Sequence, residues 1–135
     1  MTTIAQVRDN LADICSTLSG WQGSPYVGDA VATGTIKVFR DEYDPRFVFG
    51  LAKAVVPFQL VAYLKRIEST ASETTLDELC EPTGSGSLIA AVALSTNWSV
   101  TVDSAQVVNV GKVAVAQWGD GVEYLVCPFD VEVVL

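Results

Sequence analysis

The sequence predicts an α+β domain in which helices pack on a mainly antiparallel sheet. An amphipathic helical pattern opens the chain, two further helical patterns occupy its middle, and its last third alternates apolar and polar residues around a Gly-Asp-Gly turn. Helices and strands that occur in separate runs are typical of α+β folds. Because the 135 residues contain no repeat and no long linker, we expect one domain spanning residues 1–135.

The first helix is predicted over residues 3–18. Its apolar residues recur at helical spacing and share one face. They are Ile4, Val7, Leu11, Ile14, Cys15 and Leu18. Thr3 and Gln6 have the form of a capping box, and Gly20 lies just past the end of the pattern.

A loop and a short strand follow. Residues 19–34 are rich in glycine and turn-forming residues, which predicts a loop with Trp21, Tyr26 and Val27 as anchors. Thr35 to Arg40 is predicted as a strand, and Asp41 to Pro45 as a turn.

The central segment is predicted to be extended at residues 47–50 and 54–67. In the second stretch alternate residues from Val56 to Leu64 are apolar, which predicts one buried face. Proline cannot donate to a strand ladder, so Pro57 predicts a sheet edge or a bulge near that end.

Two helices are predicted in the middle of the chain. The first covers Ser69 to Glu81, with a capping box from Thr70 and Glu73, and Pro82 ends it. Its buried stripe is Leu76, Leu79 and Cys80. Ser87 is the predicted N-cap of the next helix, which runs to about residue 95. The predicted inner side of that helix is Leu88, Ala91, Val92 and Leu94.

A long C-terminal β-hairpin is the clearest strand signal. Residues 100–118 and 122–135 flank a turn, and the Asp-Gly pair at 120–121 suits a two-residue type I′ turn. That turn aligns apolar residues on one face. The predicted pairs are Ala116 with Leu125, Ala114 with Cys127, Val110 with Val131, and Val108 with Val133. Lys112 opposite Phe129 breaks the pattern, which predicts a bulge at Gly111.

The other face of this hairpin also carries apolar residues. One helix layer does not easily cover both faces, so we expect another subunit to bury part of the second face; coverage by the chain's own loops is the alternative. The apolar residues of this second face, together with aromatic residues of the 43–50 segment, form the candidate interface. The candidate interface residues are Tyr43, Phe47, Phe49, Val113, Val115, Tyr124 and Val126.

Composition excludes several classes of function. The formal net charge of −8 argues against binding to nucleic-acid phosphates. Because histidine is absent and the three cysteines lie far apart, zinc sites and histidine-based acid–base catalysis are not expected. The cysteines are interpreted as small buried hydrophobic residues. With no long apolar run and no signal-peptide pattern, we expect no membrane span and synthesis in a cytoplasm.

No motif in the sequence predicts catalysis. The Gly-Ser-Gly-Ser run at 84–87 lacks the lysine of a phosphate-binding loop. The acidic cluster at 41–44 matches no calcium loop. Both are interpreted as turns, so we expect no catalytic, cofactor-binding or metal-binding residues and no enzymatic activity.

Several stretches, in order along nearly the whole chain, resemble the tail terminator family of actinobacterial siphophages, which are long-tailed bacteriophages. The opening Met1–Arg8 is similar to that family's N-terminal helix, and Tyr43-Asp44 with Phe47, Phe49 and Gly50 to its central segment. Leu76–Leu79 through Pro82 and the glycines before Ser87 are the most similar part. The stretches Val102–Ser104, Gly121–Leu125 and Phe129–Val134 resemble its final hairpin. The glycine-rich loop at 19–34 and Pro128 depart from the pattern.

This resemblance implies a structural virion protein with a role like that of lambda-like tail terminators. Such a protein forms a ring, six-fold in that family, on the finished tail tube. The ring stops tube polymerisation and joins the tail to the head connector at the neck, while DNA passes through its centre. The implied partners are copies of the chain, the tail-tube protein and the connector. The implied locations are the virion and, during assembly, the host cytoplasm.

Other functions remain as alternatives to the terminator. A head–tail stopper or connector would also form a ring, whereas a tail-tube subunit would polymerise without limit. A small ligand-binding or enzymatic α+β domain is the alternative from a different class, and a deep pocket or a monomer in solution would favour it.

Overall fold

The computed structural model describes residues 3–18, 20–24, 34–40, 55–65, 69–117 and 123–135. Within these ranges the chain forms three α-helices, a 3₁₀ turn at Ser95–Asn97 and six strands. The helices are α1 (Ile4–Ser16), α2 (Ser69–Leu79) and α3 (Leu88–Ala93). The strands are β1 (Gln22–Ser24), β2 (Thr35–Arg40), β3 (Val55–Lys65), β4 (Ser104–Val110), β5 (Ala114–Gln117) and β6 (Glu123–Val134). No helix among these residues is long and apolar enough to cross a bilayer.

The strands form one mostly antiparallel sheet, as the sequence predicts. Its order is β1-β2-β3-β6-β4, and β5 also pairs with β6. Strand β6 pairs with β3 from Val55 to Lys65 without interruption. On its other side β6 pairs first with β5 and then with β4. The C-terminal strand is therefore central, and the predicted α+β class is confirmed.

The core lies between the helices and one face of the sheet. Alternate residues of β3 from Val56 to Ala62 and of β6 from Leu125 to Val133 are buried there. The helices contribute the predicted apolar stripes. They include Val7, Leu11, Ile14, Cys15, Leu76, Leu79, Leu88 and Val92. Burying each large apolar side chain contributes roughly 1.5–3 kcal/mol, so the alternating strands and helical stripes together hold the layers in place.

Local signals set the ends of the helices. Thr3 and Gln6 form the predicted capping box, in which Thr3 Oγ1 accepts from the Gln6 amide at 3.2 Å and Gln6 Oε1 from the Thr3 amide at 2.8 Å. Ser87 caps α3 as predicted, accepting from the Ala90 amide at 3.1 Å. The predicted cap of α2 at Thr70 and Glu73 involves side chains outside the described ones.

The loop predicted at 19–34 contains a strand. Gln22–Ser24 pairs in parallel with the start of β2. Its Gly23 amide donates to Ser16 Oγ at the end of α1, at 2.9 Å. A Cβ at Gly23 would overlap with the Ala12 carbonyl, so this glycine allows the backbones of α1 and β1 to touch. A strand of three residues is too short to show periodicity in the sequence. Trp21 is buried as predicted, whereas Tyr26 and Val27 lie outside the described residues.

Pro57 lies at the end of β3, where the described pairing is with β6 alone, because the pairing with β2 reaches only Phe58. Within the described residues Pro57 therefore has the predicted edge position, although β3 is an inner strand farther along. One other prediction was wrong in detail. Leu94 is not on the inner side of α3 but is 52% exposed. It is the C-cap with an extended backbone, so helical spacing no longer applies to it.

The predicted hairpin register was also wrong, by one residue in β5 and by two or three residues in β4. Ala116 pairs with Tyr124 and Ala114 with Val126, while Val115 is opposite Leu125. Nearer the chain end, Val107 is opposite Val131 and Ala105 opposite Val133. The number of residues between the paired ends of β5 and β6 is therefore odd, whereas a type I′ turn has two residues. The predicted pairs kept one register along the whole hairpin, but irregularities at Val108 and at residues 111–113 each insert one residue. The second lies at the predicted bulge.

Candidate interaction surface

The most exposed apolar surface of the sheet follows its β4–β5 edge, which we define as residues 104–117. Val108, Val113 and Val115 are 47%, 38% and 52% exposed. Among the described residues both strands pair on one side only, with β6. An unpaired strand edge with apolar side chains is a favourable site for association with another chain.

Two one-residue bulges shape this edge. Val107 pairs with Val131 and Asn109 with Asp130, so Val108 has no partner on β6 and its side chain reaches solvent. Residues 111–113 hold the second extra residue between β4 and β5. Each bulge reverses the face of the sheet to which the following side chains point. Val107 and Val110 therefore pack against the core, whereas Val108 and Lys112 are exposed.

Gly111 makes the second bulge possible. Its amide donates to the Pro128 carbonyl at 2.7 Å, across to β6. A Cβ at Gly111 would overlap with Pro128 Cγ. Pro128, which looks atypical in the sequence, therefore packs against a position where only glycine fits without a shift of the backbone.

The edge is almost free of charge in an acidic protein. Lys112 is the only charged residue between 104 and 117, whereas the whole chain has a net charge of −8. Natural sheet edges are commonly protected from association by charges and bulges. This edge has the bulges and a single lysine, Lys112, which is next to the exposed Val113. Strands β4 and β5 themselves contain no charged residue.

A polar ladder marks the second face of the sheet beside β4. Asp130 of β6 accepts from Gln59 Nε2 of β3 at 3.4 Å and from Asn109 Nδ2 of β4 at 3.2 Å. The three side chains connect three neighbouring strands. Because their polar groups bond to one another, this part of the face is organised within the chain itself.

The structure does not bring the predicted interface residues together on one face. Val115 lies opposite Leu125, whereas Tyr124 and Val126 lie opposite Ala116 and Ala114. The grouping of Val115 with Tyr124 and Val126 was therefore wrong, because the register is shifted by one residue. Tyr43, Phe47 and Phe49 lie outside the described residues.

Tyr124 is already buried in the isolated chain. It is 6% exposed and clusters with Val61 and Tyr63, with Val126 partly buried beside them. Burial raises the pKa of Tyr63, and the ammonium of the buried Lys37 lies 5.7 Å from the centre of its ring. These residues need no second subunit to leave solvent, so among the described residues of the predicted interface Val113 and Val115 are the exposed ones. Val108 was missed because the sequence places it in the core.

The described residues contain little that could perform chemistry. They include no group of three or more His, Cys, Asp or Glu side chains that could hold a metal. A half-open cavity of about 270 Å³ lies between α3 and the start of β4, with Trp98 and Asp103 in its wall. Another of about 390 Å³ has Glu78 and Trp21 in its wall. Each brings one carboxylate from the described residues, whereas acid–base or nucleophilic catalysis needs convergent groups.

The sequence matches no model of a known protein family, and no curated protein is significantly similar to it.

Proposed function

We propose that this chain is a structural, non-enzymatic virion protein: a tail terminator of a long-tailed bacteriophage. It assembles as a ring, six-fold if it follows the family it resembles, on the end of the tail tube. There it stops tube growth and provides the surface for the head connector. The proposal rests on the resemblance described above, together with the surface of the fold.

The exposed β4–β5 edge is the observation that carries the proposal. A closed ring needs two different complementary patches on each subunit, because its interfaces are heterologous. An edge that carries one charged residue, Lys112, and has Val108, Val113 and Val115 exposed supplies one such patch. The other candidate is the aromatic segment at 43–50, which lies outside the described residues.

The charge balance agrees with DNA passing through the ring. A net charge of −8 repels phosphates, so DNA can move past the protein without binding to it. The lack of a metal-binding group among the described residues and the half-open shape of the two cavities favour an assembly role over a ligand-binding or enzymatic one.

Negative-stain imaging of the purified protein, alone and with its tail-tube protein, tests the proposal. Closed rings, or tubes that are capped at one end and stop growing, support a terminator. Continuous tubes from this protein alone would identify a tube subunit instead. Monomers that leave tube growth unchanged would refute the proposal.

A matched pair of substitutions links this assay to the edge. Val115→Glu places a charge on the edge, whereas Leu94→Glu places one on a side chain with the same 52% exposure after α3. We expect Val115→Glu to abolish ring formation or tube capping, and Leu94→Glu to preserve it. Equal effects of the two substitutions would exclude the β4–β5 edge as the ring interface.

A further inference from the structure

The fold brings together two cysteines that are 47 positions apart in the sequence. Cys80 Sγ lies 3.8 Å from Cys127 Sγ, and both thiols are free. Cys80 follows the last turn of α2 and is half-buried, whereas Cys127 is fully buried in the central strand β6. Cys80 is therefore the more exposed of the two residues, and Cys127 lies on its buried side.

The two thiols belong to a short hydrogen-bonded chain. Cys127 Sγ also lies 3.6 Å from the Gly111 carbonyl, at the second bulge of the β4–β5 edge. The single proton of Cys127 can reach either the Gly111 oxygen or the sulfur of Cys80. If Cys80 loses its proton, Cys127 can donate to the resulting thiolate and stabilise it.

We infer that Cys80 and Cys127 form a reversible oxidation site, in which a hydroperoxide converts the two thiols into a disulfide between α2 and β6. The Cys80 thiolate attacks one peroxide oxygen and breaks the O–O bond, which gives a sulfenic acid and hydroxide; the hydroxide takes up the proton that Cys80 released and becomes the first water. The Cys127 sulfur then attacks the sulfenic sulfur, and its proton leaves with the hydroxyl as a second water. Two thiols and one hydrogen peroxide become one disulfide and two waters.

The surroundings assign the first step to Cys80. The hydrogen bond from Cys127 lowers the pKa of Cys80, against the opposing effects of burial and of the nearby Asp77 and Glu81. The same contact and burial raise the pKa of Cys127. A thiol that is accessible and more easily ionised reacts first, and a buried neighbour then resolves the intermediate.

Closing the bond requires only a small movement. A disulfide has a sulfur–sulfur distance of about 2.0 Å, so the two sulfurs must approach by about 1.8 Å from their present 3.8 Å. Cys80 lies at the end of a helix, where a shift of the chain is easier than within β6. Oxidation also removes the Cys127 S–H group from the Gly111 carbonyl, which links the site to the bulge of the β4–β5 edge. This inference is independent of the proposed ring.

Peroxide treatment of the purified full chain tests the inference. We expect the intact mass to fall by two hydrogen atoms, with a Cys80–Cys127 crosslink in the peptide map that dithiothreitol reverses. Cys80→Ser should abolish the mass loss. Cys15→Ala is the matched control and should retain it, because Cys15 is fully buried and burial raises its pKa to about 12.

Four results would overturn the inference, three of them in the unsubstituted chain. The first is a mass gain of oxygen atoms without loss of two hydrogens. The second is a crosslink between Cys80 residues of two chains, and the third is an unchanged mass. A mass loss that persists in Cys80→Ser would also contradict it.

Discussion

Replacing Asn10 with alanine should destabilise the protein strongly, although the residue lies on an ordinary amphipathic helix. Asn10 is 3% exposed. Its Nδ2 donates to the Asn97 carbonyl at 3.2 Å. Its Oδ1 accepts from the Ser99 amide at 2.8 Å, the Ser99 hydroxyl at 2.9 Å and the Val100 amide at 3.1 Å. One side chain therefore holds the segment between α3 and β4 against α1.

The magnitude follows from these four hydrogen bonds. A typical intramolecular hydrogen bond contributes about 1 kcal/mol net, and a buried group left without a partner costs about 1–3 kcal/mol. Asn10→Ala leaves two backbone amides and a carbonyl without their partner. We expect the free energy of unfolding to fall by about 4 kcal/mol, a large part of the roughly 5–15 kcal/mol of an ordinary domain.

Urea unfolding followed by far-ultraviolet circular dichroism measures this loss. Asp9→Ala is the matched control, since Asp9 is the exposed neighbour on the same helix and should change stability by less than about 0.5 kcal/mol. Ser99→Ala removes one of the four bonds and should cost about 1 kcal/mol. If Asn10→Ala is no more destabilising than Asp9→Ala, the network does not hold the two segments together.

Three further predictions concern the bulge and the cysteines. Gly111→Ala should lower the free energy of unfolding by about 1–3 kcal/mol, because the new Cβ overlaps with Pro128; urea midpoints equal to wild type would show that the bulge relaxes freely. The Cys80–Cys127 disulfide should raise stability by about 4 kcal/mol by restricting the unfolded chain across 47 positions, and a lower urea midpoint after oxidation would show that the bond strains the fold. In native protein at pH 8, iodoacetamide should label Cys80 well before Cys15, because burial raises the pKa of Cys15 to about 12. Peptide mass measures the order of labelling, and labelling of Cys15 first would contradict its burial.

Much of the fold could be predicted because its signals are local. The capping box at Thr3 and the stripe through Leu11 define α1, since both depend on residues within a few positions of each other. Alternation from Val56 to Ala62 defines β3 and its buried face in the same way. Ser87 fixes the start of α3 through a bond to an amide three residues later.

The candidate surface was predicted only in part. Val113 and Val115 are exposed, although Val115 lies opposite Leu125 and not on the face of Tyr124 and Val126. Tyr124 is covered within the chain, and Val108 reaches solvent although its pattern places it in the core. The two differences have separate causes. Tyr124 is covered because it packs against Val61 and Tyr63 of the neighbouring strand β3, whereas Val108 reaches solvent because it lies at a bulge. Each one-residue bulge exchanges the two faces of the strand beyond it, and neither the first bulge nor the odd-numbered turn has a signal in the sequence.

The sequence by itself therefore determined the fold class, the helices, the central strands and the acidic charge, since each depends on near neighbours or on composition. Only the tertiary structure decided the strand register, the buried role of Asn10 and the meeting of Cys80 with Cys127. Asn10 bonds to residues 87 to 90 positions away, and the two thiols come from a helix end and a central strand. Contacts at such separations depend on how the layers pack, and side-chain periodicity carries no information about that packing.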